Sequence, residues 1–370
     1  MMNENASHPL CGAAQAGIII SRHKKEGSPV AGQIRVRASL RLVKEDKLFG
    51  PGAAQLLEGV DELGSLRRSA ARMEMSYNKA WSVIHGCEEQ LGFALLERRI
   101  GGAGDLATGV IVRLHRCGFK VAVTECANPS AIRRRAALCE AVWQGAAQVE
   151  GVTARRIADA AQAENVSQAG EIPLLVDESA ACIAALQPAA VVDAILAKRN
   201  LGTSREMAPI TVGLGPGFTA GQDMDAVVET MRGHHLGRVI WQGAAIPNTG
   251  VPGVIAGYAA ERVIHAPAGG AMQFVADESG NTVAIGALVR AGQIIARVGD
   301  TPVHATIDGV LRGLIREGYP VTKGLKIADI DPRPEQAAYC DTVSDKARAI
   351  GGGVVEALLE IAREKQIRLL

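Results

Sequence analysis

Apolar positions recur at helical spacing between residues 49 and 92 of this chain. Gly, Pro and Ser residues interrupt the pattern and predict three helices, over about residues 50–63, 65–72 and 76–90. Residues 1–48 show no sustained period and mix Gly, Ser, Arg and Lys. We therefore interpret that first segment as a flexible arm that precedes a helical domain.

Beyond Gly101 the pattern changes to short apolar runs that alternate with helical stretches and glycine turns. Such alternation is typical of α/β proteins in which helices cross between parallel strands. It predicts a Rossmann-like, doubly wound parallel sheet over residues 102–260, with one helix ending near Cys117 and another beginning near Asp225. The expected strands are Lys120–Thr124, Pro173–Val176, Ala190–Asp193, Pro209–Leu214 and Arg238–Trp241.

Residues 261–332 contain short strand-like runs with regularly spaced glycines, and here the chain repeats itself. The run 264–266 matches 303–305, and the run 286–298 matches 318–330. Two related β units of this size can bury their apolar faces against each other. The repeat therefore predicts a small pseudo-symmetric β sandwich, inserted before a C-terminal helical segment.

The second and third predicted helices fit a helix-turn-helix unit. The first turn of the later helix would then present polar side chains to phosphates or to base edges. An ordinary helical bundle with a solvated polar face explains the same periodicity, and periodicity alone does not separate the two. The candidate DNA-binding residues are Ser76, Tyr77, Asn78 and Lys79.

A glycine-rich stretch over residues 102–109 precedes a helix, a strand and the acidic residue Glu125. Glycines allow a tight strand-to-helix turn, so backbone N–H groups and the helix dipole can face a pyrophosphate. An acid about 20 residues further on can accept hydrogen bonds from ribose hydroxyls. This order favours NAD or a related adenine dinucleotide, although the arginines at 133–135 would also admit a 2′-phosphate. The candidate cofactor-binding residues are Gly102, Gly104, Asp105, Thr108, Gly109 and Glu125.

The alternative interpretation of this stretch is a glycine turn that serves only to pack a helix on a sheet. A second glycine-dense loop follows the strand expected at 209–214, at the end where open α/β sheets bind ligands. It is a second candidate anion-binding turn, and a purely structural turn explains it equally well. Its candidate residues are Gly215, Gly217, Thr219 and Gly221.

Other potential ligands are weaker. His234 and His235 are adjacent, so their side chains are expected to point apart, and no third metal ligand lies nearby in the sequence. Cys126, next to Glu125, is interpreted as a packed small hydrophobe. We therefore predict no metal site.

Composition excludes several classes of protein. With 3% aromatic residues, the chain is a poor candidate for single-strand nucleic-acid binding by base stacking. Seven cysteines without a CxxC pair indicate neither a disulfide framework nor a zinc ribbon. The net charge is +1, which does not indicate a polyanion partner. The sequence contains neither an apolar run of membrane-spanning length nor a signal-peptide pattern, so we expect no membrane association and a cytoplasmic location.

Four runs in the helical region carry a family resemblance. They are Gly64-Ser65-Leu66, Ala70-Ala71, Met75-Ser76-Tyr77-Asn78-Lys79-Ala80-Trp81 and Leu96-Glu97-Arg98-Arg99-Ile100-Gly101-Gly102. With them, residues 50–102 resemble the winged-helix DNA-binding domain of the ModE molybdenum-dependent regulators, which is related to the LysR type. The resemblance implies sequence-selective binding of duplex DNA, normally as a dimer.

A second resemblance extends from Gly102 to the C-terminus. Its motifs are the runs 102–109, Ala194-Ile195-Leu196-Ala197-Lys198, 215–221, Glu229-Thr230-Met231-Arg232-Gly233-His234, Pro247-Asn248-Thr249-Gly250 and Ser344-Asp345-Lys346. Together they resemble the YqeB-type accessory proteins of the selenium-dependent molybdenum hydroxylase system, and also the Rossmann domain of xanthine dehydrogenase accessory proteins. The resemblance implies maturation or cofactor equipping of a molybdenum hydroxylase, with a nucleotide-like ligand on the Rossmann unit.

Residues 261–332 resemble the lipoyl or biotinyl carrier fold. Carriers place a modifiable lysine at the hairpin between their two halves, and the corresponding run here, 298–303, contains no lysine. The sequence therefore predicts a scaffold without a swinging arm. The full set of expected domains is an arm at 1–48, a winged-helix-like domain at 49–101, a Rossmann-like domain at 102–260, the sandwich at 261–332 and a C-terminal helix within 333–370.

The leading hypothesis is an accessory protein for a selenium-dependent molybdenum hydroxylase that binds a dinucleotide-like ligand and carries a ModE-like domain. The alternative is a molybdenum-related transcriptional regulator that uses the Rossmann part as a sensor. A free-standing dehydrogenase is a weaker third hypothesis, since it needs a proton donor and only His234 is a candidate. The expected partners are the hydroxylase client, duplex DNA and further copies of the chain, and a link to the molybdenum cofactor itself is also expected.

Overall fold

The computed structural model describes residues 42–43, 47–63, 66–76, 79–80, 82–84, 86–87, 102–250, 253–277 and 279–369. The chain divides into two compact units, residues 1–97 and residues 98–370. Most of the predicted arm and the segment that leads into Gly102 lie outside the described residues. No helix in the described ranges combines the length and the apolar character that a membrane span requires.

The first unit is mainly helical. A short antiparallel pair of strands, β1 (Leu42–Val43) and β2 (Lys47–Phe49), precedes α1 (Pro51–Leu63) and α2 (Leu66–Arg72). Residues 79–80, 82–84 and 86–87 are also helical. These helices lie where the periodicity predicts them, and they share a small apolar core that comprises Leu56, Leu66, Ala70, Ala80 and Ile84.

The second unit has a mixed α/β fold, and its first part contains a four-stranded sheet. In chain order this part comprises α3 (Asp105–Arg116), β3 (Val123–Glu125), α4 (Ala141–Gln144), β4 (Ala146–Val149), β5 (Val152–Ile157), α5 (Ala163–Gln168) and β6 (Ile172–Val176). The strand order is β3-β6-β5-β4, in which β3, β6 and β5 are parallel and β4 is an antiparallel edge. The sequence did not predict the β4–β5 hairpin, because β5 carries two exposed arginines, Arg155 and Arg156, in place of an apolar run.

A second four-stranded sheet follows. Its part of the chain comprises α6 (Ile183–Leu186), β7 (Ala190–Asp193), β8 (Ile210–Leu214), β9 (Thr219–Ala220), β10 (Ala226–Val228), β11 (Val239–Ile240) and β12 (Gly243–Ala244). The strand order is β11-β10-β8-β7, with β7, β8 and β10 parallel and β11 antiparallel, while β9 pairs with β12. Each of the five predicted strands overlaps an observed one, although β3 begins three residues later than expected.

The helix predicted from about Asp225 is wrong, because the chain forms strand β10 there. Val227 and Val228 are completely buried, as is usual for a central parallel strand, which reads as a continuous apolar run. Asp225 fixes the start of the strand: its Oδ2 accepts a hydrogen bond from the Thr211 backbone N–H at 2.9 Å. The glycine-dense loop thus connects two parallel strands without a helix of its own.

The third part of the unit is a β sandwich. Its strands are β13 (Val263–His265), β14 (Gly270–Phe274), β15 (Leu288–Val289), β16 (Ile294–Val298), β17 (Thr301–His304), β18 (Gly309–Leu314), β19 (Pro320–Val321) and β20 (Lys326–Asp331). One sheet has the order β13-β20-β18-β15 and the other has the order β17-β16-β14-β19. Exchanging each strand of the first repeat for its equivalent in the second converts one order into the other. The strand order therefore has the pseudo-symmetry predicted from the sequence repeat.

The C-terminal helix α7 (Asp345–Glu364) begins at Ser344, whose Oγ accepts from the Ala347 backbone N–H at 3.2 Å. It packs against α3 and against the second sheet, so that one apolar core spans both sheets and the two helices. Short 3-10 helices lie at Arg134–Ala136, Leu138–Glu140, Ala160–Gln162, Arg205–Met207, Ala260–Arg262 and Pro334–Tyr339.

Candidate functional site

The glycine turn at residues 102–104 lies at the carboxyl end of β3. Gly102 has a positive φ of 105°, and its N–H donates to the Thr124 carbonyl at 2.9 Å. The next N–H, that of Ala103, donates to Glu125 Oε2 at 2.7 Å. These bonds fasten the turn to the end of the parallel sheet, where α/β proteins bind their ligands.

Gly104 is the N-cap of α3, and no side chain of the described residues caps this helix end. A Cβ placed on Gly104 would meet no described atom within 4 Å, so the described residues leave space beside this N-cap. The first N–H groups of a helix have no intrahelical acceptor, and together with the helix dipole they attract anions. Gly104 is therefore the member of the predicted phosphate turn whose Cβ position is unobstructed by the described residues, and Asp105 follows it in the first turn of the helix.

Thr108 and Gly109 have different surroundings. Thr108 is completely buried, donates through Oγ1 to the Ala103 carbonyl at 3.2 Å and accepts from the Leu138 N–H at 2.9 Å. A Cβ on Gly109 would lie 2.5 Å from the Ala347 Cβ, so this glycine permits close contact between α3 and α7. Both residues are buried and serve the packing of the turn and of α3.

Glu125 is half-buried and already engaged. Its Oε2 accepts from Ala103, and its Oε1 accepts from the Cys126 backbone N–H at 2.8 Å. The carboxylate thus holds the turn in place. Each oxygen retains a second acceptor site, because an ionised carboxylate offers about four lone-pair positions.

Helices α3 and α7 run in the same direction. Gly109 lies against Ala347, and one turn further along, the Arg113 Cβ lies near Gly351. Both helices therefore begin at the same edge of the molecule, at Asp105 and Asp345. Arg133 joins the two starts, because its guanidinium donates to Asp105 Oδ2 and to the Thr342 carbonyl, each at 3.4 Å.

Basic side chains surround this edge. Arg232, in the loop after β10, makes a two-pronged ion pair with Asp345, with both N–O distances at 2.7 Å, and this pair lowers the pKa of Asp345 to about 2. The pKa of Lys346 is lowered first by burial and next by the positive charge of Arg232.

The loops after β7 and β8 form the neighbouring part of the edge. Asp193 is buried and accepts from Thr203 Oγ1 at 2.5 Å, and burial raises its pKa to about 6. Gly215 and Gly217 have positive φ values, and a Cβ on them would meet Thr230 and the Arg199 backbone at 2.5 and 2.7 Å. These two predicted glycines are therefore required by close packing against the loops that follow β10 and β7.

The rest of the predicted second turn is more open. The Thr219 N–H donates to Asp223 Oδ2 at 3.0 Å, and a Cβ on Gly221 would meet nothing within 4 Å, although its φ is +84°. Nearby, Glu229 is buried and accepts from the backbone N–H groups of Met231 and Ile246 at 2.7 and 2.8 Å. Glu229 thus fixes the loop that carries Arg232.

The histidine pair is exposed, and its rings contact each other edge to face with centroids 5.1 Å apart. Burial, assisted by the charge of Glu125, raises the pKa of the Cys126 thiol to about 12, so this cysteine is not an activated nucleophile. Across the described ranges there is no group of three or more His, Cys, Asp or Glu side chains that could hold a metal ion.

In the first unit, Ser76 Oγ accepts from the Lys79 backbone N–H at 3.3 Å, as expected for a helix N-cap. Lys79 is exposed in the first turn of this helix. Tyr77 and Asn78, the other two candidate DNA contacts, lie outside the described residues.

Sequence reasoning missed two basic residues at the common start of α3 and α7, Arg232 and Lys346. Both lie in runs that carried the family resemblance, but neither was singled out as a binding residue.

Comparison with known proteins identifies one relative of uncharacterised function. No family model matches this chain. No solved structure matches it either. Over 265 residues the chain is 50% identical to the uncharacterized protein YqeB of Escherichia coli strain K12. The aligned region covers 72% of this chain and 48% of that protein. The chain thus spans about half the length of this curated relative and is similar to YqeB over most of its own length.

Proposed function

We propose that the chain is an accessory protein for the maturation of a selenium-dependent molybdenum hydroxylase and that its Rossmann-like part binds a dinucleotide-like ligand. The family part of the proposal rests on the motifs from Gly102 onward and on the similarity to YqeB. The ligand part rests chiefly on one observation: no side chain of the described residues caps α3 or obstructs the Cβ position of its N-cap Gly104, and the turn before it is bonded to the carboxyl end of β3.

In this proposal a phosphate group accepts hydrogen bonds from the first N–H groups of α3, beside Gly104. The partial positive charge of the helix end, about half an elementary charge, favours such an anion. Asp105 either holds the turn, through Arg133, or faces a cation bound with the phosphate. Glu125 accepts a ribose hydroxyl through its remaining lone pairs while it continues to hold Ala103.

NAD or a related adenine dinucleotide is the first candidate ligand. The nucleotide forms of the molybdenum cofactor also contain a diphosphate, so the same helix start fits a ligand that links the chain to its client enzyme. The glycine loop at 215–221 is proposed as a second contact. Gly215 follows the carboxyl end of β8, whereas the Gly221 carbonyl accepts from Arg205, which pairs with Asp225 at the start of β10, so the first part of the loop is nearer to the start of α3.

The N-terminal unit is proposed to bind duplex DNA in a winged-helix mode. Its support is local: Ser76 caps the helix, and Lys79 is exposed in its first turn, where a cation can reach a phosphate. This proposal concerns the first unit alone and does not depend on the ligand of the second.

Isothermal titration of the full chain with NAD, NADP and FAD tests the proposed ligand. We expect at least one of them to bind, and we expect Gly104→Ala to weaken that binding at least tenfold because its methyl group enters the open space. Gly352→Ala is the matched control, since a Cβ there also meets nothing but lies two turns along α7. Wild-type protein that binds none of the three, together with an unimpaired Gly104→Ala variant in an assay of hydroxylase activation, would refute the proposed function.

A further inference from the structure

Arg133 is a buried cation at the start of α3, and its bonds there are long. The residue is 8% exposed, and its guanidinium donates to Asp105 Oδ2 and to the Thr342 carbonyl, each at 3.4 Å. Hydrogen bonds between a guanidinium and a carboxylate are usually closer, at about 2.7–2.9 Å. Arg232 reaches both oxygens of Asp345 at 2.7 Å. The carboxylate of Asp105 therefore holds Arg133 only loosely.

A third donor of Arg133 is unused. Its Nε is buried and has no hydrogen-bond partner in the part of the chain that the structure describes. A guanidinium carries five N–H groups, and a buried cation is unfavourable unless it is both paired and hydrogen-bonded. The guanidinium can therefore gain from a stronger anion than the one that it contacts in the free chain.

The helix start adds to this positive charge. Asp105 is the first residue of α3, so the group that it pairs with lies beside the helix end, which carries a partial positive charge of its own. The Asp105 side chain is 34% exposed and can turn toward solvent. Gly104, the residue before it, leaves its Cβ position unobstructed by the described residues. An anion at this helix end would meet two positive groups, the helix dipole and Arg133.

The sandwich holds both chain neighbours of Arg133. The Leu314 N–H on β18 donates to the Ile132 carbonyl at 2.8 Å, and the Leu314 carbonyl accepts from Arg134 Nε at 2.8 Å. A Cβ on Gly313 would lie 3.2 Å from the Ile132 side chain, so β18 passes close to this segment. The position of Arg133 thus depends on the sandwich.

The same segment is fastened to the glycine turn. The Cys139 N–H donates to the Ala103 carbonyl at 3.0 Å, and the Leu138 N–H donates to Thr108 Oγ1 at 2.9 Å. Arg133 therefore lies on a short stretch of chain that is bonded to the sandwich on one side and to the turn before α3 on the other.

We propose that Arg133 binds a phosphate group of a diphosphate ester at the start of α3, that this phosphate displaces the carboxylate of Asp105, and that the sandwich serves to position Arg133. This inference rests on the proposed function, because it takes the ligand to contain a diphosphate. It assigns Asp105 the role of an internal anion that occupies the guanidinium in the free chain. It also gives the sandwich a function that needs no carrier lysine.

Calorimetric titration of the full chain with inorganic pyrophosphate tests this assignment. Arg133→Gln should weaken binding about tenfold or more, as the loss of a charge-assisted hydrogen bond requires. Asp105→Asn should tighten binding about threefold, because the competing carboxylate and its repulsion of the ligand are both removed. Arg135 and Asp341 supply matched controls, since they form an exposed pair with the same N–O distance of 3.4 Å. Arg135→Gln and Asp341→Asn should bind pyrophosphate like the wild type.

The double variant separates displacement from a general change in charge. If Asp105 competes for Arg133, most of the gain from Asp105→Asn is lost when Arg133 is already replaced by Gln. Circular dichroism shows whether Arg133→Gln is folded, and if it is not, Arg133→Lys takes its place in both measurements.

The outcomes distinguish this inference from the function on which it rests. Wild-type binding that Gly104→Ala weakens, combined with an Asp105→Asn variant that binds no more tightly or an Arg133 variant that binds equally well, would overturn the inference and leave the proposed function standing. A gain from Asp105→Asn that persists in full in the double variant would also overturn it. A wild-type chain that binds neither pyrophosphate nor a dinucleotide would overturn both.

Discussion

Gly109 of α3 and Ala347 of α7 bring two parallel helices into backbone contact. A Cβ on Gly109 would lie 2.5 Å from the Ala347 Cβ and 2.9 Å from the Ala347 carbonyl carbon and oxygen. The same approach recurs at Gly351, where an added Cβ would lie 2.9 Å from the Gly109 carbonyl oxygen. This contact sets the two helix starts side by side and so determines the geometry of the proposed anion site.

Gly109→Ala should therefore destabilise the second unit by about 1–3 kcal/mol, because the added methyl group overpacks a backbone contact. Gly352→Ala should have the opposite effect, a gain of about 0.5–1 kcal/mol, since its Cβ meets nothing and alanine favours a helix interior. Urea unfolding followed by circular dichroism measures both. Equal effects of the two substitutions would contradict the packing described for α3 and α7.

Asp193 predicts a pH dependence of stability. Burial raises its folded-state pKa to about 6, above the ordinary value near 3.8, so between these values the folded state binds more protons than the unfolded state. Stability contributed by this group must therefore fall as the pH rises from about 4 to about 6, by up to roughly 3 kcal/mol. Above pH 6 the charged, buried carboxylate carries the full penalty.

The measurement is the difference in unfolding free energy between wild type and Asp193→Asn, from urea titrations at pH 4, 5, 6 and 7. Subtraction removes the other titrating groups that the two proteins share. We expect the wild type to lose stability relative to the variant as the pH rises across this window. A difference that stays flat, or that grows in favour of the wild type, would be inconsistent with the buried position of Asp193.

For the first unit, Lys79→Ala should weaken duplex binding at all sequences and reduce the salt slope by about one, as the loss of one phosphate contact requires. Binding is measured by fluorescence anisotropy on DNA from the chain's own operon between 50 and 200 mM salt. Lys323→Ala in the second unit is the control. An unchanged slope in Lys79→Ala would remove that residue from the interface, and absence of wild-type binding at low salt would refute the DNA proposal.

The sequence was most informative where one local pattern determined one element. The repeat that links Ile264 to Val303 predicts the sandwich, and its strand order has the symmetry that the repeat requires. The positions of the glycines likewise predict α3. The helix was expected to end near Cys117, and it ends at Arg116. Such features need no knowledge of distant contacts.

The sequence was least informative about elements whose conformation depends on contacts between residues far apart in the chain. A short apolar run at 226–228 suits either a helix or a buried strand, and only its pairing with β8 selects the strand. The function of Gly109 as a helix contact depends on Ala347, which lies far along the chain. Arg232 and Asp345 lie 113 residues apart and pair only when the loop after β10 and α7 have folded together, so no local pattern links them.

The start of α3 offers the most direct test of the ligand proposal. The first backbone amides of the helix, at residues 104–107, have no capping side chain and should exchange rapidly with deuterium in the free chain. Hydrogen–deuterium exchange by mass spectrometry is then measured with NAD, FAD or pyrophosphate at saturating concentration. We predict slower exchange in peptides that cover residues 104–107, with the middle of α7 unchanged. Equal exchange at this helix start with every one of these probes would contradict phosphate binding there.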